Sequence, residues 1–335
     1  MKKMIWGILF SLLIFSGSRL NASGKDEKLT SFSSSASSLT IYTPHQSETI
    51  IDAVKEFQEQ TGYQISLVMD GTGNLLNRLR SEQAKGIFSC DVFWGGGAES
   101  ICANDDLFEP FLATKDYLIP TSGKDAENHF WVGESPVPVI IMYNTQLVDN
   151  ANAPKSWGDL LDRKWEGKIA YTNPGESGSA YTLLCTMNLA MGGWDYLRKL
   201  KRNLMIVPTS EDVYRGVSKG EYYLGLTQEK AAFTEKQKGM NVGIIYPEEG
   251  TSAVPDALAI AKGTKNREAA LTFINFIVNE PNQKMMARNF FRRPILVNLD
   301  PPQGLINLSD IKLIEYDFAW AASNRKEILD KWATL

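Results

Sequence analysis

Two short turns in this chain combine the residue types that hold anions. Gly71-Thr72-Gly73-Asn74 and Ser177-Gly178-Ser179 each place glycines and hydroxyls just before a run with helical spacing. Glycine lets the backbone approach a ligand closely, and a hydroxyl either caps the helix or binds the ligand. The first N–H groups of a helix have no partner within it and lie at the positive end of its dipole. One such turn is ordinarily a cap. Two of them, in opposite halves of the chain, point to a site for a phosphoryl or carboxylate group gripped by Thr72 and Gly73 on one side and by Ser177, Gly178 and Ser179 on the other.

Two more turns add acids. Thr209-Ser210-Glu211-Asp212 and Thr227-Gln228-Glu229 follow strand-like runs. Asp212 and Glu229 are the ligand candidates there, since a carboxylate accepts from vicinal hydroxyls or pairs with an ammonium. Ser210 reads as the cap of the next helix, with Glu211 favouring its dipole. Paired acids can also cleave glycosides. However, the sequence holds only two histidines, His45 and His129, and no GxSxG, HExxH or GxxxxGK[ST] motif. No catalytic residue is assigned. Trp94-Gly95-Gly96-Gly97 lacks the GxGxxG spacing of a dinucleotide site. The pair Tyr222-Tyr223 would suit Fe(III), but within the strand-like run 221–227 its members face opposite sides and cannot both ligate one ion. No metal ligand and no cofactor are assigned.

The elements that must position these turns read as alternating strands and helices. Residues 38–45 alternate into a strand. Ile50, Ile51, Val54 and Phe57 are spaced for a helix between Ser47, a candidate N-cap, and Gly62, a stop. Residues 63–69 form the next strand, 74–84 a helix, and 89–97 a strand ending in three glycines. The order implies an α/β protein with mainly parallel sheets. The same grammar recurs from residue 156, with helices at 156–161, 180–191, 211–218 and 266–279 and strands at 204–209 and 221–227. Two Pro-punctuated extended stretches, 135–143 and 249–259, read as crossings between two lobes. One lobe is then discontinuous, 39–138 plus 255–300; the other is 139–254, and 301–335 is a C-terminal helical segment packed on both. Ligands of open α/β sheets lie beyond the carboxyl ends of the strands, where all the turns above fall.

Composition limits the partners. The chain has 335 residues, 43% hydrophobic and 22% charged, enough for two domains with a sizeable core. Lys2 and Lys3, the apolar run 4–15 and Leu20-Asn21-Ala22 form a secretory signal peptide cut after residue 22. A Ser-rich leader, 23–38, follows. Cleavage removes Lys2, Lys3 and Arg19 but no acid, taking the formal charge from −4 to −7. No run of three or more consecutive Lys/Arg residues is present, which argues against nucleic acid as the main partner. Cys90, Cys102 and Cys185 match no zinc spacing and read as reduced thiols.

Taken together, "IYTPH", "GTGNLLNRLRSEQ", "DVFWGGGAES", "YTNPGESGSAYT", "TSEDVYRGVSKGEYYLGLTQEKAA", "PDALAIAKGTKNREAALTFINFIV" and "FFRRPIL" resemble the extracellular solute-binding proteins of ABC importers. More narrowly, they resemble the ferric-binding-protein-like group, which includes receptors for phosphonates and phosphorylated sugars. The resemblance covers about 39–300. It implies a type II periplasmic-binding-protein fold, a venus flytrap with two crossing segments. It also implies a periplasmic monomer that delivers a small anionic ligand to an inner-membrane permease. In the iron-binding members an adjacent Tyr pair follows the strand that starts "GE"; the matching positions here are near Lys230 and Ala231, which cannot ligate Fe(III). The "LTQE" ending resembles the receptors for phosphorylated organic ligands. That likeness adds His45 and Asp256 to the site and offers Arg292 or Arg293 as a source of charge, unless these form a surface salt bridge. A ferric receptor of the same fold and a sugar-phosphate hydrolase are the alternatives.

Overall fold

Period-two alternation of apolar side chains builds two sheets. The computed structural model describes residues 38–335. The signal-peptide and leader assignments lie outside the described residues, save Ser38. The strands are β1 (Ser38–Thr43), β2 (Gln64–Met69), β3 (Val92–Gly97), β4 (Phe108–Glu109), β5 (Val132–Pro136), β6 (Val139–Asn144), β7 (Ile169–Thr172), β8 (Leu204–Val207), β9 (Leu224–Gln228), β10 (Val242–Ile245) and β11 (Pro255–Ala261). The first sheet runs β2-β1-β3-β11-β4, with β5 also paired to β11; the second runs β10-β6-β9-β7-β8.

Both sheets are mixed, not mainly parallel. β1 is parallel to β2 and β3, and β7 to β8 and β9. β11 runs antiparallel to β3, β4 and β5, and β6 antiparallel to β9 and β10. The reason is topological. β6 and β11 receive the chain after it leaves the other sheet, so they enter from the cleft end, against the strands whose carboxyl ends point there. The two crossings lie side by side: Val137 N donates to Val254 O at 3.3 Å and Val139 N to Ser252 O at 3.2 Å. These two paired segments join the two lobes of the α/β fold.

Alternation also assigns the packing. In the first lobe Val92, Trp94, Leu258 and Ile260 face the helices Ser47–Thr61 and Arg267–Ile277. Phe93, Ala257, Ala259 and Ala261 face the other side, against Leu75, Leu76 and Leu79 of the helix Thr72–Ala84. In the second lobe Val139, Ile141 and Tyr143 face one layer and Ile140 and Met142 the other. The C-terminal helices Phe318–Ser323 and Arg325–Thr334 touch both lobes. Phe318 stacks on Trp131 at 6.4 Å, and Trp332 meets the Tyr171 ring edge-on at 5.7 Å.

Several local expectations shift. Gln46, not Ser47, precedes the first helix, and Gly62 closes it at φ 77°. Residues 158–161 form a short 3-10 turn, since the tight segment around Asp159 is too brief for an α-helix. Tyr222 and Tyr223 lie just before β9 and pack into different clusters. All three cysteines are free thiols; Cys90 lies just before β3, and Trp131 Nε1 donates to Cys102 Sγ at 3.1 Å.

One lobe contact is a buried acid. Glu99, in the helix Ala98–Cys102, accepts from Thr182 Oγ1 of the other lobe at 2.5 Å, while its Oε2 has no partner among the described residues. Burial raises its carboxyl above the ordinary value, against the pull of Thr182 and Arg325. A raised folded-state value means its stabilising contribution is complete below the unfolded carboxylate range and is lost as pH rises through the folded value. Glu99→Gln should therefore raise Tm by a few degrees at pH 8, with the gain shrinking toward zero at pH 4, read by calorimetry across that range.

Candidate ligand-binding site

The sequence Phe291-Arg292-Arg293-Pro294 sends two guanidinium groups in different directions. The helix Glu280–Phe290 ends at Phe291, which adopts φ 55°. The left-handed conformation costs a non-glycine residue about 1–2 kcal/mol. Contact with the Phe233 ring, edge-on at 5.0 Å, helps to hold it. Pro294 biases Arg293 toward extended backbone, in which neighbouring side chains point apart. Arg292 accordingly reaches Glu134 and, at 2.9 Å, Asp256 Oδ2, while Arg293 makes a double hydrogen bond with Glu229, both contacts 2.7 Å. Both arginines are buried, at 2% and 4% exposure, so neither forms a surface salt bridge.

Glu134, on β5, is the acceptor at the centre. It takes a hydrogen bond from His45 Nε2 at 2.7 Å, from Trp94 Nε1 at 2.6 Å, and from Arg292. Burial works to raise its carboxyl, but Arg292, His45 and Trp94 together hold it down at about 2. Burial conversely lowers the His45 imidazole, with Arg292 assisting against the pull of Glu134. His45 is therefore neutral at pH 7, and the proton on Nε2 is the one it donates to the ionised Glu134. Arg292 Nη1 is buried with no hydrogen-bond partner among the described residues. Lys230, half-buried in the helix Glu229–Gln237 of the second lobe, lines a small cavity with Ser135, the residue after Glu134, and Arg293. Burial, then the Arg292 guanidinium, push its ammonium down to about 8 despite Asp256, Glu134 and Glu48.

The two glycine-hydroxyl turns meet beside this centre. Gly73 N donates to Glu176 O across the lobes at 3.2 Å. The approach requires glycine: a Cβ on Gly73 would lie 2.1 Å from the Gly175 carbonyl oxygen, and one on Gly178 would lie 2.9 Å from Thr72 Oγ1. Continuity runs along the end of β3. A Cβ on Gly96 would strike Thr72 Cγ2 at 2.8 Å, and one on Gly95, itself at φ 110°, would strike His45 Nε2 at 2.6 Å.

Of the nine residues named from sequence, Thr72, Gly73, Gly178 and His45 lie along this ridge, and Asp256 joins it through Arg292. Ser177 caps the helix Gly178–Ala190 through Ala180 N at 3.2 Å; its hydroxyl lies 2.7 Å from Ser210 and 3.0 Å from Ser179. Ser210 is thus part of a hydroxyl trio, and Thr209 caps the following helix instead. Asp212 is exposed and closed into a capping box with Thr209, at 3.0 Å to its N and 2.7 Å to its Oγ1. Glu229 is buried, with Tyr246 also donating to it. Sequence reasoning missed Glu134, Trp94 and Lys230. The signal for Glu134 was a lone acid in the apolar run Trp131–Ile141, directly before a crossing.

Two sheets joined by two hydrogen-bonded crossings, with a buried charged cluster beside those crossings, are the architecture of a two-lobe α/β binding protein. The chain belongs to the bacterial extracellular solute-binding protein family, whose model matches residues 52–306. It is 23% identical over 279 residues to a probable ABC transporter periplasmic-binding protein of Sinorhizobium fredii, covering 79% of this chain and 76% of that one. It is 26% identical to iron uptake protein A1 of Synechocystis over 302 residues, covering 82% of this chain and 80% of that one. It is likewise 26% identical over 263 residues to a putative 2-aminoethylphosphonate-binding periplasmic protein of Salmonella typhimurium, covering 73% of each. Among solved structures it resembles the periplasmic binding protein AfuA of Actinobacillus pleuropneumoniae with fructose-6-phosphate bound. That match has a TM-score of 0.83 and 23% identity, covering 90% of this chain and 98% of the other.

Removing one member of a buried ion pair strands the other's charge, at a cost of about 3–5 kcal/mol. Glu134→Gln should destabilise the protein toward the lower end of that range in urea unfolding at pH 7, because Arg292 keeps only Asp256 as an ionic partner.

Proposed function

We propose that the protein captures a small phosphorylated organic anion, a sugar phosphate or an aminoalkylphosphonate, between its lobes in the periplasm and delivers it to an inner-membrane permease. The observation that supports this most is the meeting of two helix N-termini, Thr72–Ala84 and Gly178–Ala190, from opposite lobes. Their dipoles present positive ends to each other, an arrangement that an anion between them relieves. In this reading Thr72, Gly73, Ser177, Gly178 and Ser179 hold the phosphoryl oxygens, Gly73 only after its N–H leaves Glu176 O. His45, Asp212, Glu229 and Asp256 offer acceptors to hydroxyls or an amine on the organic part, Glu229 only after exchanging its bonds with Arg293. Binding stabilises the closed form by its differential affinity, and no covalent step is needed.

Ferric ion is the second reading, because ligand atoms of His45, Glu134 and Asp256 lie within 4.8 Å of one another. The charge balance disfavours it: Arg292 occupies both carboxylates, and Lys230 adds a positive charge nearby. Thermal-shift screening of the protein against fructose 6-phosphate, 2-aminoethylphosphonate, inorganic phosphate and ferric citrate separates the two, since a tight ligand raises Tm by mass action. An organic phosphate or phosphonate should shift Tm and ferric citrate should not; the reverse result overturns the proposal. For the ligand that shifts it, Thr72→Val should bind at least about tenfold more weakly with Tm of the free protein within a few degrees of wild type. Unchanged affinity would remove Thr72 from the site.

A further inference from the structure

We propose that Arg292 and Lys230 form a cationic pair across the lobes that binds the doubly ionised oxyanion of the ligand, Arg292 through Nη1 and Lys230 through Nζ. The inference rests on the oxyanion reading above and assigns its charge recognition to side chains outside the two glycine turns.

The argument begins with valence. A guanidinium has five N–H donors in a fixed fork. The Nη2 side of Arg292 is spent on Glu134 and Asp256, whereas Nη1 is buried with no acceptor among the described residues. A buried donor of a charged group without an acceptor is costly, so such a group commonly marks a place for a missing partner. Lys230 comes from the other lobe, at the first turn of the helix Glu229–Gln237. Geometry sets the two cations near each other: Arg292 and Lys230 are the chain neighbours of the inter-lobe ion pair Arg293–Glu229, and Lys230 lines a small cavity with Ser135 and Arg293. The groups bearing on Lys230 are Arg292, Asp256, Glu134 and Glu48. Glu134 and Asp256 both pair with Arg292, and Glu48 sits 3.3 Å from Arg215. An oxyanion bridging Arg292 and Lys230 converts their repulsion into two charge-assisted contacts, and it does so only when the lobes are together.

The pair predicts a proton linkage with a definite sign. Lys230 titrates at about 8 without an anion, and a bound dianion raises that value. Binding then takes up a proton, and affinity falls as pH rises above 8.

The test measures binding of fructose 6-phosphate, 2-aminoethylphosphonate and inorganic phosphate by calorimetry between pH 7 and 9.5, for wild type, Lys230→Met and Lys230→Arg. Arg292 variants are avoided because they strand Glu134 and Asp256. The expected result has three parts: at least about tenfold weaker binding to Lys230→Met at pH 7, near-wild-type binding to Lys230→Arg, and a decline above pH 8 in wild type that Lys230→Arg abolishes. Met within twofold of wild type, Arg as weak as Met, or the same pH slope in both charged forms overturns this inference and leaves the oxyanion reading standing. Wild-type protein that binds none of the three probes overturns both.

Discussion

The cleft side of the first lobe depends on one ionic contact: the Arg292 guanidinium laid against Glu134 and Asp256 in the interior. Three ionised groups removed from water carry a desolvation cost that only close pairing and full hydrogen bonding offset. Glu134 meets that condition with three donors, of which Arg292 supplies the charge and His45 and Trp94 the directional bonds. Holding Arg292 in place requires Phe291 to sit in left-handed backbone, so part of the stability gained from the ion cluster is spent on strain at the residue before it. Much of the first sheet serves this contact. β5 carries Glu134, β11 begins with Asp256 one residue in, β3 carries Trp94, and His45 follows β1. The four elements meet at the cleft end because three of them point their carboxyl ends there and β11 enters from it.

Neutral His45 matters to the charge count. Were it protonated, His45, Arg292 and Lys230 together would exceed Glu134 and Asp256 by one positive charge. With His45 neutral, Glu134 and Asp256 balance Arg292 and Lys230, and the remaining tension is local: two cations adjacent, two helix N-termini opposed. Under the proposed function such a site discriminates by sign: a cation added to it gains nothing from the occupied carboxylates, while an anion relieves both tensions. Shifting a two-state closure from one part in a hundred to ninety-nine requires about 5.5 kcal/mol of differential affinity. Contacts made only when the lobes are together are the ones able to supply it.

The sequence made the α/β class legible because strand alternation and helix spacing are local signals: Val92 and Trp94 against Phe93, Ile50 through Phe57. The crossings were visible in Pro136, Pro138 and Pro255, which punctuate otherwise apolar strands. Strand direction was not visible, since whether β11 runs with or against β3 depends on where the chain has been between residues 97 and 255, and no local pattern records that. Within the site, the turns at Thr72 and Ser177 were readable because glycine and hydroxyl types are distinctive in sequence. Glu134 and Lys230 were not, because a single charged residue looks the same whether it is solvated or buried against a partner more than sixty residues away. Asp212 shows the converse: its neighbours Thr209 and Ser210 suggested a ligand turn, and the same residues equally satisfy a capping box.

The glycines connect these levels. Gly73, Gly95, Gly96 and Gly178 each lie where a Cβ would meet another atom at 2.9 Å or less. Gly95 and Gly96 also take positive φ, which side chains rarely adopt. A single methyl at Gly73 or Gly178 would hold the two lobes apart at the turns, and one at Gly95 would displace His45 from Glu134. Closure and charge placement are therefore not independent properties of this cleft. The backbone must be bare along one ridge for the helices to approach, and the same ridge seats the imidazole that helps keep Glu134 ionised. Under the proposed function, an anion that draws the two turns together thus acts on the charged cluster through backbone contact, without touching every member of it.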